Sequence, residues 1–276
     1  MKVFYSDLMV ADSESFSPSA HKPREVVASW QALGVALEIV APPPVTADEL
    51  ALAHDRVLVV DDVLACRRDN GFGNRSPAVA ASLPYTSGAM LAAAREALHH
   101  GRVAVAPCSG FHHATRDRPQ DYCTFNGLMV AACVLRKESA ARKVGILDFD
   151  QHWGNGTADI IEQLGADWVT HYSAGADWHS PAQAQAFLAA IPTMVAKMAG
   201  CDLILYQAGA DPHIDDPLGG WLSTEELRER DRQVFRRAAE LEVPIAWNLA
   251  GGYQSPLRKV LDIHDNTMRE CAAVFA

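Results

Sequence analysis

The chain has no CxxC pair, no surplus of positive charge, no Ser/Gly-rich linker and no internal repeat. It also lacks any apolar run of about 18 residues, so no segment reads as a membrane-spanning helix. Each absence closes a class. Cys66, Cys108, Cys123, Cys133, Cys201 and Cys271 are scattered, several of them in apolar runs, which suits a reducing compartment and not a disulfide framework. The opening MKVFYSD carries neither the apolar stretch nor the cleavage site of a signal peptide, so a cytoplasmic protein off the membrane is expected. A formal net charge of −10 and a pI near 5.5 argue against a nucleic-acid binder, because phosphate neutralisation needs a basic face. The same charge suits a cationic partner such as a lysine-bearing peptide or a polyamine, and equally serves plain solubility.

What is present is a large apolar core, with 49% hydrophobic residues in 276. Short β-rich runs predict eight strands, at Val3–Tyr5, Leu37–Val40, Val57–Val60, Val103–Ala106, Val144–Asp148, Trp168–Tyr172, Leu203–Gln207 and Pro244–Leu249. Helix-like segments fall between them, among them Lys22–Leu33, Thr46–His54, Thr86–His99, Leu128–Glu138 and Thr224–Glu240. The last opens on Ser223–Thr224–Glu225–Glu226, a capping sequence. Strands alternating with helices predict an α/β protein, one domain over residues 1–276, with a mainly parallel sheet covered on both faces.

Such sheets bind ligands beyond the carboxyl ends of their strands. Four predicted strand ends carry small residues mixed with groups that bind metals or move protons: CSGFHHA, DFDQHWGNGT, QAGADPH and LAGGYQ. In extended chain, alternate residues share a face, so Asp148, Asp150 and His152 can project together as a carboxylate–imidazole set suited to zinc. With Asp211 from another strand end, two carboxylates and a histidine would make a three-ligand open site, though alone Asp211 reads as a helix cap or turn residue; His213 is a second choice. The pair His112–His113 suits either ligation or general acid–base chemistry. Tyr253, after Gly251–Gly252, can present a phenol to a developing oxyanion, or simply fill a turn. His99–His100 fall at a helix end and need no role beyond its electrostatics.

Taken together, HHATRDRPQDYCTFN (112–126), ILDFDQHWGNGT (146–157), QAGADP (207–212) and AGGY (250–253) resemble, in order, the zinc-dependent histone deacetylase superfamily, which includes acetylpolyamine amidohydrolases. The resemblance covers much of the chain after residue 100 and implies a three-layer, arginase/deacetylase-like fold around an eight-stranded sheet. It implies one Zn2+ on Asp150, His152 and Asp211, and a K+ or Na+ held near Asp148, Asp150 and His152, with Thr170 or His171 less clearly involved. His113 would be the base and then the acid. His112 would give electrostatic support, oriented by Asp148, and Tyr253 would donate to the substrate carbonyl. Asn155 stands where many members have an aspartate partner for the second histidine, and a neutral partner should raise the pKa of His113 less.

The implied reaction is removal of an acetyl or other acyl group from an amine such as acetyl-lysine. Tyr122 would be the wall of a substrate tunnel, and Gly251 would lie beside the substrate. Asp121 replaces a usual glycine, either as a solvent-facing carboxylate or as a group meeting a cationic substrate. Trp178 or His179 would supply a second wall, and residues 67–74 a rim loop. The first hundred residues match loosely, which leaves either an open pocket or one completed by a second subunit in a homo-oligomer. An arginase-like ureohydrolase would need two bridged metal ions, and a non-catalytic acyl-amine binder would need no proton-transfer group.

Overall fold

Strand residues alternate between the two faces of a sheet, and here the two faces feed separate cores. Phe4, Ala104, Ala106, Ile146, Leu203, Leu205 and Ala246 enter one; Val3, Val105, Leu147, Ile204, Tyr206, Ile245 and Trp247 enter the other. Both sets are almost wholly buried, so the strands read as continuous apolar runs, as expected of a parallel sheet covered on both sides. The computed structural model describes residues 1–275.

The strands are β1 (Lys2–Phe4), β2 (Glu38–Val40), β3 (Val103–Ala106), β4 (Val144–Asp148), β5 (Val169–Ser173), β6 (Leu203–Gln207) and β7 (Ile245–Asn248). They form one seven-stranded sheet in the order β2-β1-β3-β7-β6-β4-β5, every pairing parallel. The helices are α1 (Lys22–Gln31), α2 (Ala47–Leu50), α3 (Asp62–Leu64), α4 (Pro77–His100), α5 (Gly127–Lys137), α6 (Asn155–Leu164), α7 (Ala184–Ala196), α8 (Thr224–Glu240) and α9 (Arg258–Phe275). Residues of α4 and α5 line the first core; those of α1, α7, α8 and α9 line the second, where Trp30 meets Trp247 edge-on at 5.4 Å. Trp30 also donates to the His264 carbonyl at 3.1 Å, which ties α1 to α9. Removing either ring would cost about 3–5 kcal/mol. Ser223 caps α8 in a full capping box with Glu226. Among the described residues, no helix is long and apolar enough to cross a membrane.

The sheet has seven strands where eight were expected. The run Arg56–Asp61, which contains the expected strand Val57–Val60, is a wide helical turn. The Asp55 carboxylate accepts from the amides of Val57 (3.0 Å) and Leu58 (2.8 Å), and so captures donors a strand would need for its ladder.

Candidate metal centre and proton-transfer groups

The strand order places β3, β7, β6 and β4 side by side, and these are the strands whose ends carry the four polar clusters. Loops distant in sequence therefore open onto one point beyond the sheet. Asp150, His152 and Asp211 converge there, with one candidate ligand atom from each lying within 4.8 Å of the others. His152 Nδ1 is 3.2 Å from both Asp150 Oδ1 and Asp211 Oδ2. Both carboxylates are buried. The backbone comes close to them only because it is glycine: a side chain on Gly209 or Gly251 would collide with the Asp211 carboxylate.

This donor set fits a divalent cation. Asp211 Oδ2 is buried with no aligned hydrogen-bond partner, although His152 Nδ1 lies 3.2 Å away. Burial, then repulsion from Asp150, pushes the Asp211 carboxyl up toward its neutral form. A cation between the two would reverse that penalty, and a mixed carboxylate–imidazole set of three leaves a position open, as catalytic zinc requires. Asp148 stands outside the group. Its Oδ2 meets His112 Nδ1 at 2.8 Å, and its Oδ1 accepts from Asp150 N and Gln207 Nε2, each at 3.2 Å. His213 is turned away, toward Thr224 Oγ1 at 3.0 Å.

The two histidines sit side by side, with ring centroids 4.0 Å apart and different partners. Burial opposes a charge on His112, but Asp148 and Asp150 outweigh it and raise its pKa to about 9. His113 Nδ1 faces Asn155 Oδ1 at 2.6 Å. An amide oxygen only accepts, so Nδ1 carries the proton and Nε2 keeps its lone pair. Burial, then repulsion from His112, lowers His113 to about 4, and Asn155 offsets only part of this. The two shifts run in opposite directions, favouring charge on His112 and a neutral ring at His113. Tyr253 follows β7, anchored by its amide to Asp216 Oδ2 at 2.8 Å. Burial, then Asp211 and Asp150, holds its phenol well above the ordinary value, so it stays a donor.

Aromatic rings continue outward from Tyr253. Tyr122 lies at 5.9 Å from it, Phe72 at 5.9 Å from Tyr122, and Phe16 stacks on the Tyr253 ring at 6.2 Å with planes 12° apart. The rim loop holds this wall, since Tyr122 N donates to Gly71 O at 2.9 Å. Asp121 is exposed and has φ +50°, next to Tyr122 at φ +62°; the left-handed pair turns the chain where glycine would do so without strain.

Two expectations change. Trp178 is no second wall: its Nε1 donates to Tyr172 Oη at 2.8 Å and its ring packs on buried Phe187. The Gly251 amide is committed to Asp150 Oδ2 at 2.8 Å, so it orients that carboxylate and is not free for a substrate. Lys22 was not anticipated. It is fully buried at the start of α1, with Nζ donating to Ala250 O at 2.8 Å and Gly251 O at 3.3 Å. Burial lowers its ammonium to about 8 against the pull of Asp211 and Asp150.

Comparison with known proteins gives the family. The histone deacetylase domain model matches residues 18–180 and 162–268. The chain belongs to the histone deacetylase family. It is 28% identical over 185 residues to histone deacetylase 2 of Arabidopsis thaliana, covering 58% of this chain and 47% of that one. It is 42% identical over 74 residues to a probable deacetylase of Methanothermobacter thermautotrophicus, covering 27% of this chain and 22% of that one. An uncharacterised protein of Picosynechococcus sp. is 27% identical over 207 residues, 68% of either chain. The chain thus spans about two thirds of the cyanobacterial relative and about half of the Arabidopsis one. The crystal structure of the HDA15 HD domain superposes with a TM-score of 0.79 over 98% of this chain and 90% of that one, at 19% identity, a likeness of fold.

Proposed function

We propose that the chain is a zinc-dependent amidohydrolase that removes an acetyl or other acyl group from an amine such as acetyl-lysine or an acetylpolyamine. One observation carries the reading: a three-ligand site lies beside a histidine kept neutral and a tyrosine kept protonated. Zinc on Asp150, His152 and Asp211 would polarise the amide carbonyl and acidify the attacking water.

The chain's own groups supply the rest. His113 Nε2 takes a proton from water as the water oxygen bonds to the carbonyl carbon. The Tyr253 hydroxyl donates to the oxyanion that develops on the carbonyl oxygen. Cationic His112, fixed by Asp148, favours that same negative charge. As the C–N bond breaks, His113 returns its proton to the leaving nitrogen, giving a free amine and a carboxylic acid. The aromatic wall around Tyr122 suits the alkyl chain that carries the amide. A K+ or Na+ near Asp148, Asp150 and His152 belongs to the same proposal.

Metal content and turnover of a fluorogenic acetyl-lysine substrate and of acetylated polyamines test the reading, with His113→Ala and Tyr253→Phe as comparisons. Bound zinc with no turnover of any acyl-amine would replace it with a binding role. An arginase-like reaction would need two bridged metal ions, whereas the candidate group found among the described residues offers three ligands.

A further inference from the structure

The Arg230 guanidinium is fully buried on α8, on the sheet face away from α4 and α5. Burying such a group costs several kcal/mol unless it is paired and hydrogen-bonded. Its Nε meets Asp231 Oδ1 at 2.9 Å, and Asp231 is in turn held by the hydroxyls of Tyr206 and Thr267. That neutralises the charge and would be enough for a structural ion pair. The remaining contacts do something else. One nitrogen, NH1, donates to both Phe149 O at 3.0 Å and Gly209 O at 2.7 Å.

Phe149 immediately precedes Asp150, and Gly209 lies two residues before Asp211. The β4–β6 ladder ends at Asp148 opposite Gln207, so these carbonyls lie where regular pairing has stopped. Each belongs to a peptide plane whose other side is also held. Asp150 N donates to Asp148 Oδ1 at 3.2 Å, and Ala210 N donates to Gly251 O at 3.0 Å. With Arg230 on the oxygens, both planes leading to the carboxylate ligands are fixed at both edges.

We infer that Arg230 is a positioning residue for the metal centre, setting the spacing of Asp150 and Asp211 through the backbone that carries them. The inference rests on the reading of Asp150, His152 and Asp211 as a zinc site. Loss of a group that orients metal ligands typically weakens metal affinity about 10–100-fold. Methionine at this position keeps the apolar stem and loses both carbonyl contacts. Lysine keeps a cation that can reach fewer of the partners.

The test is zinc affinity of the metal-free protein, measured by competition with a chromophoric chelator, for the unaltered chain, Arg230→Met, Arg230→Lys and Val234→Ala. Val234 is buried one turn further along α8 and serves as a packing control. The expected result is about 10–100-fold weaker zinc binding for Arg230→Met, a smaller loss for Arg230→Lys, and none for Val234→Ala despite a lower melting temperature. The altered visible spectrum of cobalt-loaded Arg230→Lys would report the changed ligand geometry without reference to activity. Should Arg230→Met fail to fold, the lysine variant decides, and native zinc affinity there overturns the inference. Equal losses for Arg230→Met and Val234→Ala also overturn it, since the effect is then general destabilisation. If the unaltered chain takes up no zinc, the metal reading itself falls and this inference falls with it; zinc bound equally by all four proteins removes only the role of Arg230.

Discussion

The floor of the site and its mouth are built on opposite principles. At the floor, Asp148, Asp150 and Asp211 are buried, the backbone presses on them through glycine, and Asp148 and Asp150 accept several hydrogen bonds. At the mouth, Phe16 is 62% exposed, Asp121 is exposed, and Tyr122 is held by a backbone bond to a rim loop. A floor of this kind allows one arrangement and thus one chemistry. A mouth made of exposed side chains tolerates exchange, so under the proposed function it is where preference among substrates would reside.

Substitutions should therefore divide by depth. The largest effect is expected from His113→Ala, which should lower kcat by about 10²–10⁴-fold for charged and neutral acyl-amines alike, with metal content intact. Tyr253→Phe should follow, with about 10²–10³-fold lost from kcat; normal turnover would remove the phenol from the reaction. Asn155→Asp sharpens the comparison within the floor. His113 is lowered to about 4, so its basic form persists as pH falls, and the acid limb of kcat/KM should lie well below the 6.5 of an ordinary histidine. A carboxylate at 155 favours the protonated ring, so the limb should move upward in pH, and an unmoved limb would exclude His113 as the base. At the mouth, Asp121→Gly should shift the ratio of kcat/KM between cationic and neutral acyl-amines by a few-fold, about 1 kcal/mol or less for an exposed charge. Equal changes for both substrates would sink the specificity role. Phe16→Ala should have the smallest effect, a rise in KM with kcat nearly unchanged.

The same depth separates what was legible in the sequence. Seven of the eight expected strands recur within a residue or so of their expected ends, and β3, β4 and β6 match them outright, because buried parallel strands are short apolar runs with sharp limits. Val57–Val60 has the same composition, but Asp55 captures its amides locally, and that competition leaves no trace in hydrophobicity. The convergence of Asp150, His152 and Asp211 beside His112 and His113 was legible because strand ends concentrate unusual polar residues. Lys22 and Arg230 were not, because both types are almost never wholly buried and each reaches backbone carbonyls distant in sequence, which no residue pattern marks. Trp178 was misplaced for a related reason: an aromatic near the site reads as a wall until its packing on Phe187 is known.

The position of β7 has a consequence for how the site comes into being. It lies in the middle of the sheet, between β3 and β6, yet it is last of the strands along the chain. Until residues 245–248 insert, β3 and β6 are open edges, and the loop bearing Gly251 is not there to seat Asp150. Contacts this distant in sequence form slowly, and unpaired parallel edges invite association with other chains. Completion of the candidate metal site and sheet closure are thus one late event, and a nascent chain stopped before β7 at once lacks that site and is prone to aggregate.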